Sequence, residues 1–128
     1  MAVSRADVVD QNFLDGIRSA SCAEIRHQGD ILYGESSYLI GREAIAIFCS
    51  MVESRHLDLR SRELKKDSQS FYTIGSSGHE GSAAVAAALR PTDPAFLHYR
   101  SGGFFIQRAR QVPGQTPLLD VLLGVVAS

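Results

Sequence analysis

From position 42 onward the apolar residues recur with helical spacing. Ile45, Phe48, Val52 and Leu59 fall within about one quadrant of a 3.6-residue wheel, while Arg60, Glu63, Lys65 and Lys66 occupy other sides. The spacing predicts an amphipathic helix over 42–66 with that apolar face turned toward a core. The stretch from Glu53 to Lys66, with Glu53, Asp58 and Glu63 interleaved among arginines, reads as its solvated face. His56, on the edge of the apolar face, is expected to be a hydrogen-bonded structural histidine and not a ligand. An earlier helix is predicted from Ser4, which with Asp7 three residues on makes a capping-box pattern. It would carry Val8, Val9, Phe13, Leu14 and Ile17 toward a core, although Gly16 weakens it. After Ile25 the pattern breaks at His27-Gln-Gly-Asp30, and Gly34 to Ser37 with Gly41 reads as irregular connection. Residues 1–41 are therefore expected to be an N-terminal arm or lead-in segment ahead of a domain over 42–128.

Asp67-Ser-Gln-Ser70 ends the long helix, Phe71-Tyr-Thr-Ile74 has strand-like composition, and Gly75-Ser-Ser-Gly78 is a loop. Ser77 followed by Glu80 predicts a capping box at the head of an alanine-rich helix, Gly81 to Leu89, which Arg90-Pro91 stops. Its alanine face would let another helix or a ligand-bearing loop approach closely. Thr92-Asp-Pro94 is a turn, Ala95-Phe-Leu97 a short extended run, and His98 to Gly103 a polar loop leading into a helix over Phe104 to Arg110. Thr116 as N-cap and Pro117 at the first helical position open a last helix, Leu118 to Ala127. That helix is almost wholly apolar and reaches Ser128 without a glycine cap, so the chain is expected to be the front of a longer protein.

Composition narrows the function. The 128 residues suit one domain, and a hydrophobic share of 45% is enough for a core, which argues against disorder. Thirteen Lys+Arg against fourteen Asp+Glu leave a net charge of −1, so no long-range field recruits nucleic acid or an anionic membrane. Cys22 and Cys49 lack metal-ligand spacing and read as reduced thiols of a cytosolic protein. The N-terminus has no signal-peptide core, and the apolar run Leu118 to Ala127 is too short to span a bilayer and carries Asp120. A soluble, cytoplasmic chain is expected.

Two motifs carry chemistry. Gly75-Ser-Ser77-Gly78-His79 approaches the Gly-x-Ser-x-Gly elbow of serine hydrolases but puts His79 where the second glycine belongs, and no acid–histidine sequel follows. Short serine–glycine turns are the commoner reading, with a small serine hydrolase using Ser77 as an alternative. A phosphate site needs unpaired N–H groups at a helix start, glycine for close approach and a nearby cation. The Gly75 to Gly78 loop offers the first two and Arg100 the third, against the simpler reading of two tight turns and a surface arginine. His79 and His98 have no spaced acidic partner that would mark a catalytic or metal set, so no catalytic or metal-ligating residue is assigned.

Taken together, Tyr72-Thr-Ile-Gly-Ser-Ser-Gly-His-Glu-Gly81, the small-residue helix, Pro91-Thr-Asp93 and His98-Tyr-Arg100 resemble the thiamine diphosphate-dependent 2-oxo acid dehydrogenases. More narrowly, they are similar to the N-terminal portion of the alpha part of the dehydrogenase (decarboxylating) component, in forms with separate or fused alpha and beta parts. The match runs from about Glu43 to Ser128, with Met51 to Arg55 and Arg62 to Lys65 in a lead-in helix. The resemblance implies a partial α/β thiamine diphosphate-binding domain, mostly helical over this stretch, with one or two short strands near Phe71 and Ala95. It implies that Tyr99 and Arg100 hold the cofactor's diphosphate, where a guanidinium fork and a phenol suit phosphate oxygens. Ile74 stands where the pyruvate branch has a cofactor-contacting histidine, His98 where a glutamine often precedes the pair, and Ser101 where an acidic residue is frequent. His79 and Glu80 match a Gly-His-Glu that begins the helix and is read as structural. The family's Gly-Asp-Gly magnesium motif and its activating glutamate are not among these residues, so the chain alone is expected to be inactive. For the complete enzyme the resemblance implies oxidative decarboxylation of a 2-oxo acid with acyl transfer to lipoyl. The implied cofactors are thiamine diphosphate and magnesium. The implied partners are a beta part or subunit and a lipoyl acyltransferase, in a homo- or hetero-oligomer without nucleic acid or membrane. A helical interaction module without catalysis is the remaining alternative.

Overall fold

The computed structural model describes residues 4–20, 29–32, 34–71 and 75–127. Among them are five helices: α1 (Arg5–Ser19), α2 (Gly41–Lys66), α3 (Ser82–Ala88), α4 (Gly102–Arg110) and α5 (Pro117–Val126). Extended pairing among the described residues is limited to an isolated antiparallel bridge between Leu32 and Ile40. The expected α/β architecture is thus corrected to a helical one. Ala95, Phe96 and Leu97 run without regular structure, make no backbone hydrogen bond among the described residues and leave the Phe96 ring wholly exposed. A strand exists only through a partner's ladder, which composition cannot supply. Of the other expected strand, Phe71 lies in an exposed bend, and Tyr72, Thr73 and Ile74 fall outside the described residues.

The chain divides into two compact units, Met1–Gly41 and Arg42–Ser128. In the first, Ser4 caps α1 by accepting from the Ala6 N–H at 3.2 Å. No residue of α1 is buried, and Val8, Val9 and Ile17 are exposed, contrary to the inward face expected for them. The Gly41 N–H donates to the Ile31 carbonyl at 3.0 Å and closes the unit beside the Leu32–Ile40 bridge.

In the second unit α2 forms over the expected range but buries a different side. Ile45 and Phe48 are exposed, whereas Ser50, Ser54, Leu57, Ser61 and Leu64 are buried, at spacings of four, three, four and three. Hydropathy misses this seam because three of its five positions are serines. Serine is small enough for close approach, and its hydroxyl can be satisfied locally. Ser50 Oγ donates to Gln107 Oε1 at 2.8 Å and accepts from Arg110 Nη1 at 3.1 Å, tying α2 to α4, while Arg110 also pairs with Glu53. The solvated face expected between Glu53 and Lys66 is likewise corrected, since Arg55 and Asp58 are buried.

The alanine face of α3 packs against α4 as expected. Ala83 and Ala86 are fully buried, Phe104 and Ile106 are buried on α4, and Gln111 Nε2 donates to the Ala86 carbonyl at 3.0 Å. A Cβ on Gly103 would stand 2.6 Å from the Glu80 carbonyl oxygen, so only glycine fits where the head of α4 meets the chain before α3. Full burial of the Ile106 side chain contributes about 2 kcal/mol. Helix α5 follows against α4, opened by Pro117 and by Thr116, whose hydroxyl donates to Asp120 Oδ1 at 3.0 Å. None of its residues is buried.

Candidate functional site

The site stands where the irregular run from Pro94 turns into α4. The Ser101 N–H donates to the His98 carbonyl at 2.8 Å and closes a tight turn around Tyr99 and Arg100. Two further bonds brace it: the His98 N–H to Ser101 Oγ at 3.2 Å, and the Arg100 N–H to His98 Nδ1 at 3.4 Å. The imidazole of His98 and the phenol ring of Tyr99 lie 3.7 Å apart between centroids, and the Arg100 guanidinium sits 5.6 Å from the centroid of that phenol. Tyr99 is exposed and Arg100 half-buried.

Electrostatically the bend favours an anion. Helix α4 starts with two glycines, and the Gly102 and Gly103 N–H groups have no hydrogen-bond partner among the described residues. The following Phe104 N–H is taken by Ser82 Oγ at 3.1 Å, so the open donors are confined to the first turn, where the helix dipole is positive. Arg100 carries no carboxylate partner among the described residues, and its Nε is buried without a hydrogen bond. The structure thus brings Tyr99 and Arg100 together at a helix start.

The other motifs fare differently. Glu80 and Ser77 do not form the expected capping box, because α3 begins at Ser82 with Gly81 at its N-cap and no side-chain cap. Glu80 instead turns its carboxylate onto the Gly78 N–H at 2.7 Å, so the chain's own anion takes a donor that a phosphate would need. The left-handed φ of this loop, +86°, falls at Gly78 and not at Ser77, and Ser77 has no hydrogen bond to a histidine among the described residues. That is unlike an elbow, in which the serine itself takes the strained position. His79 lies ahead of α3 and is exposed, and His56 is exposed on α2.

Sequence reasoning missed a buried charge cluster on α2. Asp58 Oδ2 accepts from Arg55 Nη1 at 2.7 Å and from Arg62 Nη2 at 2.8 Å, with Arg55 and Asp58 side chains only 4% exposed. A Cβ on Gly75 would come within 2.8 Å of Arg62 Nη2, so the glycine loop lies directly on this cluster. The i, i+3, i+4 spacing of opposite charges was the available signal. Among the described residues no group of three or more His, Cys, Asp or Glu can hold a metal ion. Cys49 is an exposed free thiol, and Cys22 lies outside the described residues. Among those residues no helix is long and apolar enough to cross a membrane.

Comparison with protein-family models, with curated proteins and with solved structures finds no match to this chain.

Proposed function

We propose that this chain supplies the diphosphate-gripping pair of a cytoplasmic, thiamine diphosphate-dependent 2-oxo acid dehydrogenase, as the N-terminal portion of its alpha part. The observation that carries the reading is the bend at Arg100. There a guanidinium without a carboxylate partner among the described residues, a phenol beside it and the open Gly102 and Gly103 N–H groups meet within a few residues. The order of motifs around Tyr99 and Arg100 supports it, and the reading does not depend on the strands corrected above. The donors fit a diphosphate: Arg100 forks onto phosphate oxygens, Tyr99 adds a directional phenol, and the first turn of α4 adds unpaired backbone N–H groups at its positive end. Magnesium has no comparable fit, for the described residues offer it no ligand cluster. The reading assigns its ligands to a Gly-Asp-Gly segment that these residues do not contain.

When bound, thiamine diphosphate supplies the carbanion chemistry that decarboxylates a 2-oxo acid. The task of this chain is to bind and orient the cofactor's tail, with the acyl group passing to a lipoyl acyltransferase in an assembly completed by a beta part. The test is a calorimetric titration of the chain with inorganic pyrophosphate and with thiamine diphosphate plus magnesium. Saturable binding is expected, and Arg100→Ala should weaken it by about 2 kcal/mol, roughly thirtyfold, through loss of a charge-assisted contact. Absence of binding, or affinity unchanged in Arg100→Ala, overturns the reading.

A further inference from the structure

His98 holds the bend through three of its own atoms. Its N–H donates to Ser101 Oγ at 3.2 Å, its carbonyl accepts from the Ser101 N–H at 2.8 Å, and its ring Nδ1 accepts from the Arg100 N–H at 3.4 Å. The last bond, from a side chain to the N–H two residues on, is the one with which Asn and Asp form an Asx turn. The ring also lies against Tyr99 at 3.7 Å, so imidazole, phenol and guanidinium follow one another in series. An exposed histidine beside a tyrosine would make some ring contact in any case; that contact would not require the Nδ1 bond.

Only the neutral imidazole with its proton on Nε2 has a lone pair on Nδ1 to offer. Protonation removes that acceptor and sets a second cation in the series with Arg100. The charged or titratable neighbours that meet the ring are Tyr99 and Arg100 on its own bend; neither α3, α4 nor the run from Arg90 places an ion-pair partner on His98 among the described residues. Resting on the diphosphate reading of the Tyr99–Arg100 bend, we propose that His98 is a positioning residue. As the neutral Nε2–H tautomer it fixes the Arg100 backbone so that the guanidinium and the head of α4 address one phosphate group, and its protonation releases that hold.

The proposal is tested by nuclear magnetic resonance on the chain, following the Arg100 amide and the His98 ring between about pH 5 and 8, where histidine changes charge. Both signals are expected to titrate with one midpoint. His98→Asn places an amide oxygen where Nδ1 stands, so the Arg100 amide should keep its hydrogen-exchange protection and stop titrating. His98→Gln and His98→Ala should lose the protection. Toward inorganic pyrophosphate at the upper end of that range, His98→Asn should stay within about twofold of the unsubstituted chain. The Gln and Ala variants should weaken about fivefold, the worth of one hydrogen bond. An Arg100 amide indifferent to His98 protonation, or an Asn variant no better than the Ala variant, overturns the proposal. A coupled titration in a chain that binds no pyrophosphate upholds the bend geometry but overturns the diphosphate reading, and with it the ligand half of the proposal.

Discussion

One carboxylate oxygen of Asp58 receives two guanidinium groups, from Arg55 and Arg62, inside the second unit. Buried ions are tolerable only while their charges are matched, and removing the shared partner is costlier than never having built the cluster. Asp58→Ala should therefore lower stability by about 3 kcal/mol, measured by urea denaturation, and adding Arg55→Met should recover part of that loss. Asp93 shows a milder case at a half-buried carboxylate. Its carboxylate accepts from the Arg90 Nε and N–H, both at 2.9 Å, and these bonds, with a smaller contribution from Arg108, hold its pKa below the ordinary value of about 3.8. The stabilisation is complete above that ordinary value and fades as pH falls through the lowered one. A carbon-detected acid titration should place the Asp93 midpoint below the ordinary value, and Arg90→Ala should move it upward. At this scale the sequence was a good guide to which residues meet, since Tyr99 and Arg100 are neighbours by chain order. It was silent on the bond between His98 and the Arg100 N–H, because a ring nitrogen taking a backbone N–H leaves no trace in spacing.

Among the elements, helix starts were legible wherever a cap or proline fixed them: Ser4 before α1, and Thr116 with Pro117 before α5. The face of α2 was not. Periodicity weighs large apolar residues and pointed to Ile45 and Phe48, whereas the buried seam runs through Ser50, Ser54 and Ser61, and Ser50 bonds to a helix more than fifty positions later. The run at Ala95 misled for a related reason: pairing is a long-range property, and a bland apolar tripeptide does not encode it. The contact of α4 with the chain before α3 gives an element-scale prediction. Gly103→Ala drives a methyl carbon toward the Glu80 carbonyl oxygen, a backbone atom 2.6 Å away that has no rotamer by which to yield. A loss of about 2 kcal/mol is expected in urea denaturation.

For the molecule as a whole, every buried residue among those described belongs to the unit from Arg42 onward. A chain restricted to residues 42–128 should therefore keep its cooperative unfolding transition, with a midpoint close to that of all 128 residues when both are followed by circular dichroism. Loss of that transition would show that the first unit contributes to the fold of the second.

The serine seam of α2 also bears on how this protein responds to temperature. Unfolding it would bring hydroxyl groups as well as hydrocarbon into water, and polar exposure offsets the heat-capacity increment that apolar exposure creates. Each seam serine should consequently add less to that increment than an apolar residue in its place would, and so make the fall of stability toward cold and heat a little gentler.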